Sequence, residues 1–240
     1  METWDIDRPG VDVLEWAFGY LLKNKFIEER SISDGFPKNL LIENDSGRAE
    51  VLLKGSAVEN LSLILRNGDI IKELRDEVDA YEYDLTIVGG SAKRSMSHDM
   101  IQYINSSIFV VNNFNKTINY KILLAVDDSP GTKKAVKYGV RVAQAFGIKV
   151  KIITVNEDEN FKDANKKATE SASKMMRRCG VEAETKLEIG KAAEKIIELA
   201  GEDHIIIMGS STQSPIAKFF VGSKPLNVMQ NSNCPILIVK

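Results

Sequence analysis

The sequence predicts an α/β protein of two tandem parallel-sheet domains of the five-stranded type, the first of them truncated. Three observations lead there. Short apolar, β-rich runs alternate with helical stripes through the second half. Motifs of that half recur in the first half in the same order. The 240 residues suit two domains of about 120.

The second half reads element by element. Lys121-Ile122-Leu123-Leu124-Ala125-Val126 is a buried strand that ends in Asp127-Asp128-Ser129-Pro130, a helix start. Ala135, Val136, Val140, Val142, Ala143 and Phe146 form one helical stripe, and Gly147 ends it. Residues 150–155 are a second strand. The lysine-rich stretch 160–178 is a helix with a solvated face. Residues 181–188 alternate Val181, Ala183, Thr185 and Leu187 with charge, as an edge strand does. A helix over 192–200, an apolar strand over 204–208 and a last strand over 235–239 complete the set. Strands separated by helices pair in parallel, with helices on both faces.

The repeat has three matches. Asp7-Arg8-Pro9-Gly10 resembles Asp128-Ser129-Pro130-Gly131, 121 residues on. Residues 83–91 resemble 202–210 at an offset of 119, which aligns Gly90 with Gly209. Residues 106–111 resemble 234–239 at an offset of 128. In the first half this gives a helix over 11–23, strands at 61–65, 85–88 and 108–111, and a helix over 69–81. Residues 28–54 match no pattern. Only Trp4-Asp5-Ile6 stands where a first strand belongs. The polar stretch 112–119 is the linker, so the domains are expected at 1–115 and 119–240.

Composition narrows the class. Hydrophobic residues make up 43%, enough for a core, and the formal net charge of −2 gives no reason to expect nucleic acid. No apolar run approaches the roughly 18 to 20 residues that span a bilayer, and the start lacks a signal-peptide pattern, so a cytoplasmic location and no membrane insertion are expected. Cys179 and Cys234 lack CxxC spacing and read as packing residues; His204 reads as a satisfied interior residue and His98 as unpartnered.

Candidate site residues gather at two strand ends. Asp127 stands at the tip of the first strand of the second half. Asp127 and Asp128 point to opposite faces, so one of them reads as a helix cap rather than half of a metal pair. Gly209-Ser210-Ser211-Thr212 is followed by nine residues and then Gly222-Ser223. Gly209 would let backbone approach a ligand. Gly222-Ser223 would open the last helix, where free N–H groups favour an anion, and Lys224 adds a charge. Singly these are ordinary turn glycines; their spacing together with Asp127 carries the ligand reading.

That spacing resembles the G-2x-G-9x-G-[S/T] loop of the universal stress protein family, with Thr212 in place of the second glycine. Val126-Asp127-Asp128-Ser129 and Cys234-Pro235-Ile236-Leu237-Ile238-Val239 carry the resemblance further. It implies strand order 3-2-1-4-5, the adenine nucleotide α-hydrolase-like arrangement, and an adenine nucleotide, ATP or AMP, with Mg possible beside ATP. The implied contacts are Asp127 and Val155 near adenine and ribose, and Gly209, Gly222 and Ser223 at the phosphates; Ala125, Met208, Thr212, Lys224 and Pro225 complete the expected nucleotide-binding set. Thr212 resists positive φ, and Pro225 removes one N–H donor. The first half lacks the nine-residue loop and reads as a structural partner in an intrachain pseudo-dimer, with a homodimer also open. The leading function is a nucleotide-binding, non-catalytic stress-response or regulatory protein. The alternatives are an interaction module that has lost its ligand and a slow ATPase; no Walker A loop or G-x-S-x-G elbow is present.

Overall fold

Apart from the charged edge strand, each strand of the second half is an apolar run too short for a buried helix. The computed structural model describes residues 10–27, 40–43, 48–52, 61–89, 94–210 and 224–240. The chain divides into two compact units, Met1–Glu73 and Leu74–Lys240. Its elements, in order, are α1 (Val11–Lys23), β1 (Leu40–Glu43), β2 (Arg48–Leu52), β3 (Leu63–Arg66), α2 (Ile70–Tyr81), β4 (Leu85–Gly89), α3 (Arg94–Tyr103), β5 (Ser107–Val111) and β6 (Lys121–Ala125). They continue as α4 (Pro130–Phe146), β7 (Val150–Asn156), α5 (Asp163–Arg178), β8 (Ala183–Ile189), α6 (Ala192–Ala200), β9 (His204–Gly209), α7 (Lys224–Asn231) and β10 (Ile236–Val239).

The second unit holds a seven-stranded sheet in the order β4-β5-β10-β9-β6-β7-β8. Read from β8 to β10, the last five strands give the order 3-2-1-4-5 of the second half. All neighbours are parallel except β5 and β10, which pair antiparallel with Ile236 opposite Val110, Leu237 opposite Phe109 and Ile238 opposite Ile108. Helix α4 has Pro130 at its first position and stops at Gly147, whose φ of 63° suits glycine. It lays Ala135, Val136, Val140 and Ala143 on Ile122, Leu124, Ile207 and Leu237, with Met176 of α5 closing the cluster. Each fully buried aliphatic side chain of this kind contributes about 1.5–3 kcal/mol. Helix α6 packs on β6, β7 and β9 and against α7. Strand β8 is the charged edge, with Glu184 and Lys186 exposed and Glu188 half-buried.

The first half departs from a free-standing five-stranded copy. Its strands β4 and β5 join the second half's sheet, while β1, β2 and β3 form a separate antiparallel sheet in the first unit. The four residues between β1 and β2 are too few for a parallel crossover, which needs about a dozen. The strand expected at 61–65 is therefore β3, in an antiparallel setting. There α1 packs Leu14, Phe18 and Leu22 against Val51, Leu63 and Leu65. Register also corrects the repeat by one residue. Phe109 and Leu237 are equivalent at the 128-residue offset; Ile87 lies beside Phe109 as Ile207 lies beside Leu237. Gly89, rather than Gly90, thus takes the place of Gly209.

One close approach fixes how α4 meets β9. A Cβ on Gly209 would lie 2.4 Å from the carbonyl carbon of Gly131, and one on Gly131 would lie 2.6 Å from the carbonyl oxygen of Ser210. Backbone stands on both sides, so no side chain can yield. Gly209→Ala and Gly131→Ala should each lower stability by about 1–3 kcal/mol in urea unfolding. Among the described residues a Cβ on Gly89 meets nothing within 4 Å, so Gly89→Ala should stay within about 0.5 kcal/mol. Equal losses at Gly89 and Gly209 would refute the contact.

Candidate functional site

The order in which the chain adds parallel strands reverses between β6 and β9, and a crevice opens outside their carboxyl ends. Ala125 and Met208 are register partners at that edge. The cleft just beyond them is lined by Ala125, Val126, Asp127, Ile153, Val155, Met208 and Gly209 from the strand ends, Ala192 and Ile196 from α6, and Lys224 at the start of α7. Six of the residues expected from the sequence are thus brought together: Ala125, Asp127, Val155, Met208, Gly209 and Lys224. Pro225, the next residue of α7, is buried and does not line the cleft. Thr212, Gly222 and Ser223 lie outside the described residues.

Asp127 is held by the turn that follows β6. Its Oδ1 accepts hydrogen bonds from the Ser129 N–H at 3.0 Å, the Ser129 hydroxyl and the Thr132 hydroxyl at 2.8 Å. Thr132 Oγ1 in turn accepts from the Asp127 N–H. Among the described residues no donor reaches Oδ2. Burial works to raise this carboxyl. The Ser129 and Thr132 hydrogen bonds, with the positive charge of Lys224, outweigh it and hold Asp127 below the ordinary carboxylate value. The cleft therefore presents a charged carboxylate with one open oxygen, an apolar wall and a nearby ammonium.

One role is added to the sequence reading and one differs from it. Gly209 is bare because Gly131 packs on it, whatever else its backbone meets. Neither Asp127 nor Asp128 caps α4; Ser129 occupies the N-cap position, without a side-chain cap bond. Thr132, Ile153, Ala192 and Ile196 were not foreseen. A hydroxyl three residues into a helix start is the one signal that marks Thr132; the others look like ordinary core residues. His204 is buried with Nδ1 3.0 Å from the Ala200 carbonyl and 2.7 Å from Asp203 Oδ1, and burial pushes the Cys234 thiol up. Among the described residues, no three His, Cys, Asp or Glu side chains gather as a metal site, and no helix is long and apolar enough to cross a membrane.

Fold and cleft together define an open, doubly wound α/β protein with its crevice at the sheet's switch point. Residues 119–240 match the universal stress protein family, and the chain belongs to that family. It is 32% identical over 133 residues to a universal stress protein of Thermus aquaticus, covering 50% of this chain and 97% of the relative. It is 26% identical over 138 residues to one from Methanocaldococcus jannaschii, covering 50% and 81%. A solved universal stress protein of Archaeoglobus fulgidus superposes with a TM-score of 0.59 at 20% identity, over 73% of this chain and 67% of that one.

The sign of the Asp127 effect is testable. A carboxyl lowered in the folded state stabilises the fold fully above its unfolded value, roughly 3.9, and loses that contribution as pH falls through the folded value. The stability gap between wild type and Asp127→Asn should be constant from about pH 5 to 8 and narrow below about pH 4. Urea unfolding across that range checks it; a gap unchanged at pH 3 would show that the charge is not held by Ser129 and Thr132.

Proposed function

We propose that the second half binds one adenine nucleotide, ATP or AMP, in the cleft between β6 and β9, and that the protein serves as a non-catalytic stress-response or regulatory protein. The observation that carries this is that Asp127, whose Oδ2 no donor reaches among the described residues, and Lys224 line one cleft with an apolar strand-end wall. Such a wall suits the flat face of a base. An open carboxylate oxygen suits an exocyclic amine, and an ammonium at a helix start suits phosphate. Gly222 and Ser223, immediately before α7, are the further phosphate contacts in this reading. Mg would arrive on the phosphates of ATP, since the described cleft residues include one carboxylate.

The first half serves as a built-in partner in the same reading. The β5–β10 register is symmetric under the 128-residue offset: Phe109 faces its equivalent Leu237, while Ile108 and Val110 face the equivalents of each other. That is the pattern of an isologous strand pair within one chain. Units of 1–115 and 119–240 are accordingly proposed as the duplicated segments.

Titration of the intact chain should saturate at one nucleotide per chain, with affinity in the order ATP, AMP, adenosine. Lys224→Ala should flatten that order by on the order of tenfold, because an exposed lysine–phosphate contact is screened, and added salt should do part of the same. Asp127→Ala should weaken all three ligands. Calorimetry that detects no nucleotide at millimolar concentration would instead leave the interaction-module reading.

A further inference from the structure

We propose that Asn165, in the first turn of α5, is a positioning residue for the cleft: its side chain fixes the turn that carries Asp127. This rests on the cleft being the nucleotide site. Asn165 does not line the cleft. It is 8% exposed on a helix whose other polar side chains largely face solvent, and burying a side-chain amide is unfavourable without partners. Its Oδ1 accepts the Asp128 N–H at 3.1 Å. An N–H can only donate, so the amide oxygen must face it.

Three consecutive backbone donors around Asp127 each go to a different element. The Val126 N–H goes to the Ile153 carbonyl of β7, the Asp127 N–H to Thr132 of α4 and the Asp128 N–H to Asn165 of α5. The Val126 carbonyl is tied toward the same helix. It lies 3.0 Å from Thr154 Oγ1, which lies 2.6 Å from Thr169 Oγ1, which lies 2.9 Å from the Asn165 carbonyl. Two hydroxyl protons serve those three contacts, so the relay runs toward one carbonyl or the other. Helix α5 thus meets the strand end on both sides of Asp127, through Asn165 Oδ1 at the Asp128 N–H and through the Thr169 hydroxyl at Thr154. Without its Oδ1 the Asp128 N–H loses its partner, and the turn that aligns Ser129 and Thr132 on the Asp127 carboxylate is free to open.

The test uses the intact chain with Asn165→Leu, which keeps volume and removes the acceptor, and Asn165→Asp, which keeps the acceptor. Asn165→Leu should weaken ATP binding about three- to tenfold, as loss of one hydrogen bond predicts. It should also speed amide exchange at Asp128 and move the Asp127 titration, followed by NMR, up toward the ordinary carboxylate value. Asn165→Asp should restore exchange protection at Asp128. Asn165→Ala serves the same comparison where the leucine variant does not fold. A leucine variant with a lower melting temperature but wild-type ATP affinity and Asp127 titration would overturn the proposal, leaving Asn165 as a fastener of α5. Should wild type bind no ATP, the nucleotide reading fails, and the Asp127 titration still decides whether Asn165 sets the turn.

Discussion

The antiparallel seam between β5 and β10 is the constraint on which the second unit depends. All four residues of β10 are buried, and both of its edges carry hydrogen bonds. Left as an outer edge, so apolar a strand would template aggregation. Strand β5 removes that edge without any crossover, because its partner comes from elsewhere in the chain. The seam also sets direction. Strands β4 and β5 run opposite to β6 through β10, so the carboxyl ends of the two sets open on opposite margins of one sheet. Any crevice of the first set would lie at the far margin from Asp127.

From β10 the order passes to the cleft through backbone. Gly209 is the register partner of Val239, and the Ser210 N–H donates to the Val239 carbonyl at 2.7 Å. The end of β9 is thereby held flat where Gly131 presses on it. That contact seats the first turn of α4 low on the sheet and brings Ser129 and Thr132 within reach of Asp127. A packing fact, two facing glycines, thus precedes an electrostatic one, a carboxylate kept charged against its burial.

The strands of the second half were legible because strands covered on both faces read as unbroken apolar runs. In the first half α1, β3, α2, β4 and β5 were legible, but β1, β2 and α3 were not. The antiparallel strands β1 and β2 are short and mix charge with aliphatics, and α3, Arg94–Tyr103, has too few apolar residues to show a stripe. The doubled Gly89-Gly90 hid a one-residue slip that only strand register resolves, since a slip of one exchanges the sheet's faces. At the site, Asp127 and Lys224 were visible because charge at a strand end or helix start is conspicuous. Ala192 and Ile196 were not, for a helix face that lines a cleft has the same periodicity as one that packs on a sheet. Asn165 was hidden among the lysines and glutamates of a helix that reads as solvated.

The helices that lie at the two Asp-x-Pro-Gly motifs of the sequence, α1 and α4, differ in the bulk of their buried faces. At the 121-residue offset, Ala135, Gly139 and Ala143 of α4 correspond to Leu14, Phe18 and Leu22 of α1. Small residues let α4 lie close: a Cβ on Gly139 would already meet Met176 at 3.2 Å and Leu124 at 3.6 Å. A phenylalanine at the equivalent place cannot lie so near a sheet, and in α1 it is buried instead against Val51 and Leu63 of the small antiparallel sheet. Among the described residues Gly89 has nothing within 4 Å of its absent Cβ, where Gly209 has Gly131. The hydroxyls that polarise Asp127 arrive with the helix start that Gly131 seats. A helix face too bulky for that seat lacks the means to hold a carboxylate there, and this is the physical ground on which the proposal counts one nucleotide site, not two, per chain.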